Sequence, residues 1–512
     1  MTVLQPMPRL SCLPQRHRRC YEGTSPSPAK SQRAWTEGMP STIWPLARIF
    51  LSVLFIIIDT VIFILLLVFP RVRAVVGDTP IPYREIEHET ILISGIETTT
   101  GLALARTWRE RGFRIVGVDV VDPYLPIRPG GGVSKSVAAY YKVSKDRYVS
   151  QILDIVLREE VAIWIPCSPK CSPAEDAAVK QVVESRTACK CITFDPEMTA
   201  LLSDNQSFRE FLVSKHIPVP RHYQVHSRDS VHRILNGSPT KSYIIREIGP
   251  RAKRRGITLP GRTLSSTYTT VSELSISKES QWTMDQQTRL GVLWADFLVI
   301  RGRVFSFHLW TEERWAYHQK ALHLHQALAS RALCIIQQMT SQEGERMTGH
   351  LSVKFLVDEE IEPTSVRYLL YVSDCVSGAR AAEKIVSRTQ WPTEGYLAVL
   401  RSVLVLEGPI SQSISRDPWI VGAQSLDSLA EWCLTCILRA HDDQERFQER
   451  FQIEIGPYLF WKNPRLSAED PLPWWWDLHV YRPLCELWTL AKQVRTLTGR
   501  RVSSIDTTVT RP

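Results

Sequence analysis

Apolar runs alternate with helical patterns between Glu89 and Pro196, and this alternation constrains the fold more than any other feature of the chain. Four of the runs predict strands, and three amphipathic stretches between them predict helices. The predicted strands are Ile91–Ser94, Ile115–Val118, Val161–Pro166 and Ile192–Phe194, and the predicted helices are Leu102–Arg111, Arg147–Glu159 and Ala174–Glu184. Strands that alternate with helices form parallel sheets. Residues 89–197 are therefore predicted to form a doubly wound, Rossmann-like α/β domain.

The first predicted strand runs into the turn Gly95–Gly101, which opens the first helix. Backbone N–H groups in such a turn can hold an anion, and Asp119 ends the next strand, where dinucleotide-binding proteins place a carboxylate for the ribose. The glycine spacing matches neither a dinucleotide-binding loop nor a P-loop, and no G-x-S-x-G elbow is present. These patterns favour a tight scaffold turn over the site of a dehydrogenase or a serine hydrolase.

The segment from Ile49 to Phe69 is apolar throughout except for Asp59. As a helix it would be ~30 Å long, which is the thickness of a bilayer core. A run that is apolar on all faces favours a membrane helix over a buried soluble helix, although Asp59 would cost ~3 kcal/mol near the centre. We therefore predict a single-pass transmembrane segment over residues 43–73 in a lipid bilayer, with the endoplasmic reticulum as a candidate membrane.

Two signals disagree about the topology of this segment. The arginines before it place the N-terminus in the cytosol and the large domain across the membrane. The position of Asp59 within the run allows the opposite arrangement, because a shallow re-entrant hairpin around it would keep the N-terminus and the large domain on the same side. We expect the large domain to be cytosolic. A lumenal domain would instead reveal itself by glycan on Asn205 or Asn236, each of which begins a glycosylation sequon.

Composition and charge bound the class of protein. The chain has 512 residues, of which 44% are hydrophobic, and a formal net charge of +9. Lys and Arg are spread along the chain without a nucleic-acid-binding motif, so we expect no nucleic-acid partner, and the charge indicates either mild solvation or attraction to anionic lipid. The eleven cysteines lack the spacing of a disulfide framework or a zinc site and are expected to be buried, reduced thiols.

The rest of the chain divides by pattern. Residues 1–42, rich in Pro, Ser and Arg, predict a disordered basic arm. Residues 198–387 predict an α+β domain with a helix around Gln319–Thr340 and strands at Tyr243–Glu247, Trp294–Ile300, Val304–His308, Leu351–Val357 and Tyr368–Val372. Residues 388–512 are expected to be mainly helical, with helices at Leu397–Leu406, Ser425–Ala440 and Pro483–Leu497. An aromatic cluster within this region, Asp470–His479, is expected to pack against the domain.

Several motifs follow one another in a recognisable order. The chain reads Ile91-Leu-Ile-Ser-Gly-Ile-Glu-Thr-Thr-Thr-Gly-Leu-Ala-Leu-Ala-Arg106, then Leu202-Ser-Asp-Asn205 with Phe208, then Ile217-Pro-Val-Pro220, and finally Asp470-Pro-Leu-Pro-Trp-Trp-Trp-Asp-Leu-His479. This order resembles that of the ATP-grasp superfamily, and in particular a fungal group related to carbamoyl-phosphate synthase. The resemblance implies a Rossmann-like pre-ATP-grasp domain over residues 89–197 and an ATP-grasp-like domain over residues 198–387.

The resemblance also implies positions for the nucleotide. The family's strand lysine falls on Arg246, which keeps the charge but has a planar guanidinium, so the geometry of a phosphate contact must change. The following basic loop matches the family's phosphate-covering loop and supplies the candidate nucleotide-binding residues Lys253, Arg254, Arg255 and Gly256. A solvated basic turn is an equally good interpretation of that loop.

The expected metal positions have changed. Lys354 stands where the family has an aspartate, Val292 lies where it has a glutamate, and Val376 follows Cys375 where it has an asparagine. Asp374 and Asp358 are the carboxylates left for Mg2+, and Arg246 and Asp374 are the candidate catalytic residues. A lysine on the metal strand repels Mg2+, and it can also replace the charge of the ion.

Two functions follow from this resemblance. The first is a membrane-anchored ATP-grasp ligase that uses ATP and Mg2+ to activate a small-molecule carboxylate for attack by an amine or similar nucleophile. Specialised metabolism is implied by analogy, with pathway enzymes as candidate partners. The second is a catalytically degenerate ATP-grasp-fold protein that acts as a membrane-bound binding or scaffold partner. The substitutions at Arg246, Val292, Lys354 and Val376 favour the second.

Overall fold

The computed structural model describes residues 43–68, 89–121, 127–239, 241–248, 256–276, 281–288, 290–311, 321–322, 327–361, 366–386, 396, 399, 411–412 and 463–492. The predicted disordered arm, residues 1–42, lies outside these ranges. So do Lys253, Arg254 and Arg255, the predicted helix Ser425–Ala440 and all but residue 399 of the predicted helix Leu397–Leu406.

The apolar segment forms one continuous helix, α1, over Ile43–Val68. The part from Arg48 to Val68 has a mean hydropathy of 3.0, and by length and composition it is long and apolar enough to cross a membrane. The helix continues through Asp59, so the re-entrant hairpin considered for that position is wrong. The run of Ile, Leu, Phe and Val around Asp59 contains no Gly or Pro that would turn the chain. Passage through a membrane stays a prediction.

The predicted parallel sheet is confirmed. Strands and helices alternate along the chain, and the five strands lie in the order β3-β2-β1-β4-β5 of a doubly wound fold. The elements are β1 (Thr90–Ser94), α2 (Thr99–Glu110), β2 (Arg114–Val120), β3 (Ala139–Val143), α3 (Tyr148–Arg158), β4 (Val161–Pro166), α4 (Pro173–Arg186) and β5 (Lys190–Cys191). Two further helices follow, α5 (Pro196–Ser203) and α6 (Asn205–Ser214).

Alternate residues of these strands enter two separate apolar cores, because successive side chains of a strand point to opposite faces. Ile91 and Ile93 of β1 belong to one core, and Leu92 of the same strand belongs to the other. Both faces of the sheet are therefore covered, which explains why the strands are apolar at nearly every position. Helix α4 begins at a capping box in which Ser172 and Glu175 satisfy each other's backbone N–H groups.

Two details of this sheet differ from the sequence prediction. Strand β3 was not predicted, because its residues are only partly buried at the edge of the sheet and show no apolar run. The strand predicted at Ile192–Phe194 is wrong, since β5 begins two residues earlier and consists of Lys190–Cys191. Ile192 N–H still donates to Trp164 O at 3.0 Å, but the chain then turns into the core, where Phe194 is buried.

Residues His222–Gln286 form a compact unit of their own. Its elements are β6 (His222–Val225), α7 (Arg228–Asn236), β7 (Ser242–Ile248), β8 (Ile257–Leu259), α8 (Leu264–Glu273) and β9 (Gln281–Gln287). The four strands form one sheet in the order β6-β9-β7-β8, and its pairs β6–β9 and β7–β8 are antiparallel. Val231 and Val271, one from each helix, pack with Tyr243 and Met284 of the sheet in a small core.

A long antiparallel sheet follows in the other compact unit, which also contains α1 and the parallel sheet. Its elements are β10 (Gly291–Ile300), β11 (Arg303–Thr311), β12 (Ala321–Leu322), α9 (Ala327–Thr340), β13 (Gly349–Ile361), β14 (Val366–Ser377), α10 (Ala379–Val386) and β15 (Ser411–Gln412). The strand order is β12-β11-β10-β13-β14, with β15 beside β11. The predicted α+β character is confirmed, but the helix placed around Gln319–Thr340 begins later, because Ala321–Leu322 pairs with β11 as a strand.

The C-terminal segment is described over residues 463–492. Its helix α11 begins at Leu472–Trp476, continues through a π-helical turn at Asp477–Tyr481 and is described as far as residue 492. The expected packing of the aromatic cluster is confirmed, since Trp474 is fully buried and Trp476 Nε1 donates to Arg128 O at 3.0 Å.

A buried carboxyl group in the parallel-sheet domain makes the stability of that domain depend on pH. Asp176 of α4 is buried, and the Tyr148 hydroxyl donates to its Oδ1 at 3.0 Å. Burial raises the pKa of Asp176 to about 7. An unfolded aspartate titrates near pH ~3.9, so between these two values only the folded state holds the proton. Stability is therefore greatest below this window and falls as the pH rises through it.

We predict that Asp176→Asn raises the free energy of unfolding by about 4 kcal/mol at pH 8 and by less than half of that at pH 5. The amide keeps an acceptor for Tyr148 and removes the charge that must be buried at high pH. Thermal unfolding followed by circular dichroism at both pH values measures the difference. Asp154→Asn, at an exposed position of α3, is the control and should change neither value. An equal gain at both pH values would contradict the buried charge.

Candidate functional site

The unit His222–Gln286 holds the residues that the sequence assigned to the nucleotide. Arg246 lies on β7 with its side chain exposed, and Gly256 immediately precedes β8, the antiparallel neighbour of β7. A Cβ atom at Gly256 would lie 2.3 Å from Ile244 Cγ2 and 3.0 Å from Arg246 Nε. The absence of a side chain at Gly256 therefore lets the arginine lie flat against the β7–β8 pair. The basic loop that joins these strands, with Lys253, Arg254 and Arg255, lies outside the described residues.

The residues assigned to the metal lie on the antiparallel sheet of the other compact unit. Lys354 of β13 pairs directly with Asp374 of β14, and a bulge follows at once, since the next residue of β13 pairs with Val372. Burial raises the pKa of Asp374, while the backbone N–H of Cys375 and the charge of Lys354 act in the opposite direction. Asp358 lies four residues further along β13, opposite Leu369, and is only partly buried. The structure thus brings Asp374 beside Lys354 and places Asp358 further along the same face.

Two tryptophans continue the row of residues that contains Lys354 and Asp374. Trp294 of β10 pairs with Lys354 on one side and with Trp310 of β11 on the other. The two indole rings are stacked, with centroids 6.2 Å apart. Lys354 Nζ lies 5.4 Å from the centroid of the Trp294 ring, and Lys384 Nζ of α10 lies 4.4 Å from the same centroid. We call Trp294, Trp310, Lys354, Asp374 and Lys384 the cationic sheet face.

Asp296 lies on β10 two residues after Trp294 and therefore on the same face of the sheet. The sequence did not lead us to predict it as a functional residue. It is fully buried, and its carboxylate accepts hydrogen bonds from Trp310 Nε1 at 2.6 Å and from the Ser352 hydroxyl. Its position in an otherwise apolar strand, Gly291–Ile300, was the signal that would have found it. Its carboxylate orients the Trp310 ring, against which Lys384 also lies, 5.0 Å from the ring centroid.

The chemistry of this face does not fit the Mg2+ ion that the resemblance implies. Mg2+ takes oxygen ligands in octahedral geometry, and carboxylates supply most of the charge that holds it. Among the described residues, no group of three or more His, Cys, Asp or Glu side chains could hold a metal ion. Asp374 instead faces an ammonium group, and Asp296 already accepts bonds from two side chains. The face presents two ammonium groups, which suit an anionic ligand better than a cation.

The turn after β1, considered for anion binding, is satisfied internally. Gly95 N–H donates to Val118 O at 2.7 Å, and Gly101 N–H donates to Thr98 Oγ1 at 3.0 Å. Asp119 is buried and accepts the N–H of Glu97 at 3.0 Å. Burial and the charge of Glu97 raise the pKa of Asp119. These bonds agree with the interpretation as a scaffold turn, in which Asp119 accepts a backbone N–H of the turn.

The C-terminal segment covers the same edge of the parallel sheet. The Arg465 guanidinium donates to Glu97 O, and Arg106 of α2 donates to Asp470 O at 2.8 Å and pairs with the Asp470 carboxylate. The Ser134 hydroxyl donates to Asp470 Oδ2 at 2.6 Å. Ligands of open α/β sheets bind outside the carboxyl ends of the strands. In this chain that edge is occupied by its own C-terminal segment.

Comparison with known proteins finds likenesses among solved structures. No protein-family model matches the chain, and no curated protein is similar to it at the level of sequence. A biotin carboxylase subunit of pyruvate carboxylase is 12% identical with a TM-score of 0.48, covering 64% of this chain and 73% of that one. An N5-carboxyaminoimidazole ribonucleotide synthetase in complex with ADP is 10% identical with a TM-score of 0.40, covering 65% and 81%. An L-amino acid ligase from Bacillus licheniformis is 10% identical with a TM-score of 0.39, covering 64% and 79%.

At these identities and TM-scores the likenesses by themselves assign neither a family nor an activity to the chain. The architecture described above is established by its own strand order and pairing. The resemblance to the fungal group related to carbamoyl-phosphate synthase finds no support in these likenesses and stays a prediction.

We predict that Asp296→Ala lowers the free energy of unfolding by ~2–4 kcal/mol, because it leaves a buried indole N–H and a buried hydroxyl without their acceptor. Asp296→Asn keeps one carbonyl acceptor and should lose less. Glu383→Gln, at an exposed position of α10, is the control and should be neutral. Urea unfolding followed by tryptophan fluorescence measures all three, and a neutral Asp296→Ala would show that this carboxylate does not support the sheet face.

Proposed function

We propose that the protein is an ATP-dependent carboxylate ligase of the ATP-grasp type. The observation that carries the proposal is the cationic sheet face, where Lys354 and Lys384 lie against one indole ring beside Asp374. A triphosphate and a carboxylate are both anions, and two ammonium groups can bind them together when aromatic rings exclude water from one side. The doubly wound domain before this sheet and the residue motifs that resemble the superfamily support this proposal.

The reaction would proceed in two steps. A carboxylate oxygen of the substrate attacks the γ-phosphorus of ATP, the bond from that phosphorus to the β–γ bridging oxygen breaks, and ADP leaves. An amine then attacks the acyl carbon, inorganic phosphate leaves with the electron pair of the C–O bond, and the amine loses a proton. Lys354 and Lys384 would compensate the charge on the transferring phosphoryl group, and Asp374 would accept the proton of the amine.

We propose Arg246 as a phosphate-binding residue of the unit His222–Gln286, considered by itself. Its exposed guanidinium, beside Gly256, has a planar pair of donors that suits two phosphate oxygens. Mg2+ has no step in this scheme, because the described residues do not supply a metal site. The added charge of Lys354 on the strand would take over part of the role of the ion.

A second candidate function is a binding or scaffold protein of the same fold without turnover. The observation that favours it is also Lys354, because a lysine beside Asp374 removes a metal ligand on which phosphoryl transfer ordinarily depends. Such a protein would bind ATP or another polyanion and release no product.

Some aspects of this function rest on the sequence alone. We propose a small-molecule carboxylic acid as substrate, a place in specialised metabolism with pathway enzymes as partners, and no nucleic-acid partner. We also propose attachment to a membrane through α1, with the catalytic units in the cytosol. The single-pass topology and the endoplasmic reticulum stay predictions.

Nucleotide binding tests the ligase proposal directly. We predict that ATP at about 100 times its dissociation constant stabilises the full chain by ~2.7 kcal/mol, and that EDTA leaves the shift in melting temperature unchanged. Lys354→Met and Arg246→Ala should each reduce the shift, whereas Lys190→Met, at an exposed position of β5, should not. Lys354→Asp restores the carboxylate of the superfamily and should make the shift depend on Mg2+.

Phosphate release separates the two functions. A ligase should release phosphate only when ATP, an acid and an amine are all present, and Asp374→Asn should abolish this release while ATP still binds. A shift in melting temperature without phosphate release across a panel of acids would favour the binding protein. No shift with ATP, with the unit His222–Gln286 folded, would reject the ligase, and no shift with ATP or with inorganic triphosphate would reject both.

A further inference from the structure

Helix α1 has one buried stripe. Ser52, Asp59 and Leu66 are each at most 3% exposed, and they are spaced seven residues apart. Residues at this spacing lie two turns apart on the same side of a helix, so the stripe runs for ~21 Å along α1. All three residues contact the C-terminal segment, residues 463–492: Ser52 and Asp59 by hydrogen bonds, and Leu66 by apolar packing with Leu466 and Trp474.

Each described polar side chain of α1 is satisfied inside the protein. The Ser52 hydroxyl donates to Leu478 O at 3.0 Å, and Asp59 Oδ2 lies 2.9 Å from His479 Nε2. Thr60 accepts the indole N–H of Trp475 at 3.0 Å. At the start of the helix Arg48 pairs with Glu486 at 2.7 Å. Asp59, which would oppose insertion of a lone helix, is therefore covered by a partner from the C-terminal segment.

The opposite side of α1 is apolar at each exposed position. Eleven of its large apolar residues are exposed: Leu46, Phe50, Val53, Leu54, Ile57, Ile58, Val61, Ile64, Leu65, Leu67 and Val68. Leu472, Leu484 and Leu487 of α11 are exposed as well. Together these fourteen side chains make up most of the exposed large apolar residues of the described chain, which has twenty. An apolar surface of this extent on a folded domain marks an interaction site.

Helix α11 lies between α1 and the edge of the parallel sheet. On one side it packs against α1 through Trp475 and His479. On the other side Trp476 binds Arg128 O, and Tyr481 lies close enough to Glu97 and Asp119 for their charges to add to burial in raising its pKa. Helix α1 is thus fastened along its length to the side of the domain.

We propose that α1 and α11 together form an in-plane membrane-binding surface, in which the exposed face of α1 enters the hydrocarbon of one leaflet and does not span the bilayer. This proposal deepens the proposed membrane attachment and replaces the predicted single-pass topology with an in-plane one. A helix bound along its length to the domain could cross the bilayer only if the charged edge of that domain entered the hydrocarbon, which is costly. Arg48, Arg71 and Arg73 flank the apolar run and suit anionic headgroups.

A bilayer fits this surface better than a protein partner. Protein interfaces have polar rims and about one hydrogen bond per ~100–200 Å². Apart from Arg48, which pairs with Glu486, the exposed side chains of α1 that the structure describes are apolar, and its described polar groups are bound within the same chain. A surface that presents only apolar side chains matches lipid tails, which form no hydrogen bonds.

Binding of the full chain to vesicles tests the surface. Wild-type protein should co-sediment with preformed phosphatidylcholine vesicles and more strongly when phosphatidylserine is added. Ile57→Glu with Val61→Glu, at two exposed positions one turn apart, should lower partitioning at least about tenfold. Leu264→Glu with Tyr268→Glu places the same pair of charges on the exposed face of α8 and should change nothing.

Sidedness distinguishes an in-plane helix from a spanning one. The full chain made in the presence of microsomes is treated with a membrane-impermeant maleimide, which can react with Cys12 and Cys20 of the arm and with exposed Cys334 of α9. The proposal predicts that arm and domain are labelled together without permeabilisation. Labelling of only one of them would show a spanning helix and overturn the proposal. A different outcome would show that a second copy of the chain covers the face. In that case the wild-type protein would not bind vesicles and would form a dimer, and the Ile57→Glu and Val61→Glu variant would be a monomer.

The vesicle-binding and labelling results are independent of the ligase proposal. The charged variant of α1 should keep the ATP-induced shift in melting temperature, since its substitutions lie on the exposed face of another element. If the Ile57→Glu and Val61→Glu variant does not fold, vesicle binding is measured with Val53→Glu and Ile57→Glu, whose positions are also exposed.

Discussion

Two buried carboxylates of the C-terminal segment organise its contact with the parallel sheet. Asp470 pairs with Arg106 and accepts the Ser134 hydroxyl, while Asp477 pairs with Arg465, which donates to Glu97 O, and with Arg482. Both carboxylates are nearly inaccessible to water, so removal of the arginines that pair with one of them would leave a charge buried without compensation, at a cost of ~3–5 kcal/mol. Through these pairs the segment closes the carboxyl edge of the parallel sheet and carries α1 on its outer side. The arrangement of α1 therefore depends on them.

The two ends of the motif series that resembles the ATP-grasp superfamily meet at this point. Arg106 closes the first motif and Asp470 opens the last, and they form one ion pair across 364 residues of sequence. His479, from the same last motif, covers Asp59 of α1. These motif residues act in the assembly of the fold. The chemistry proposed for the protein lies elsewhere, on the cationic sheet face, where Lys354 pairs with Asp374.

The local pattern of apolar and polar residues predicted most strands and helices of the parallel sheet, but it did not predict which side chains contact one another. The alternation of apolar runs and helices predicted the doubly wound sheet, because strands buried on both faces are apolar throughout. Strand β3 escaped prediction because an edge strand with partly buried residues has no such run. The pairing of Lys354 with Asp374 and the stacking of Trp294 on Trp310 depend on strand register, which the spacing of these residues in sequence does not encode. For the same reason the partner of Asp59 could not be predicted, since it lies 420 residues away.

Hydrogen–deuterium exchange of the full chain, wild type against Asp470→Ala, tests most directly whether the C-terminal segment holds both the sheet edge and α1. Glu469→Ala, which removes the neighbouring and exposed carboxylate, is the control. We expect Asp470→Ala to speed exchange together in the turn Gly95–Gly101, in α11 and in α1, and to leave the unit His222–Gln286 unchanged. Unchanged exchange in α1, with faster exchange in α11, would show that α1 is held by other contacts and would contradict this account.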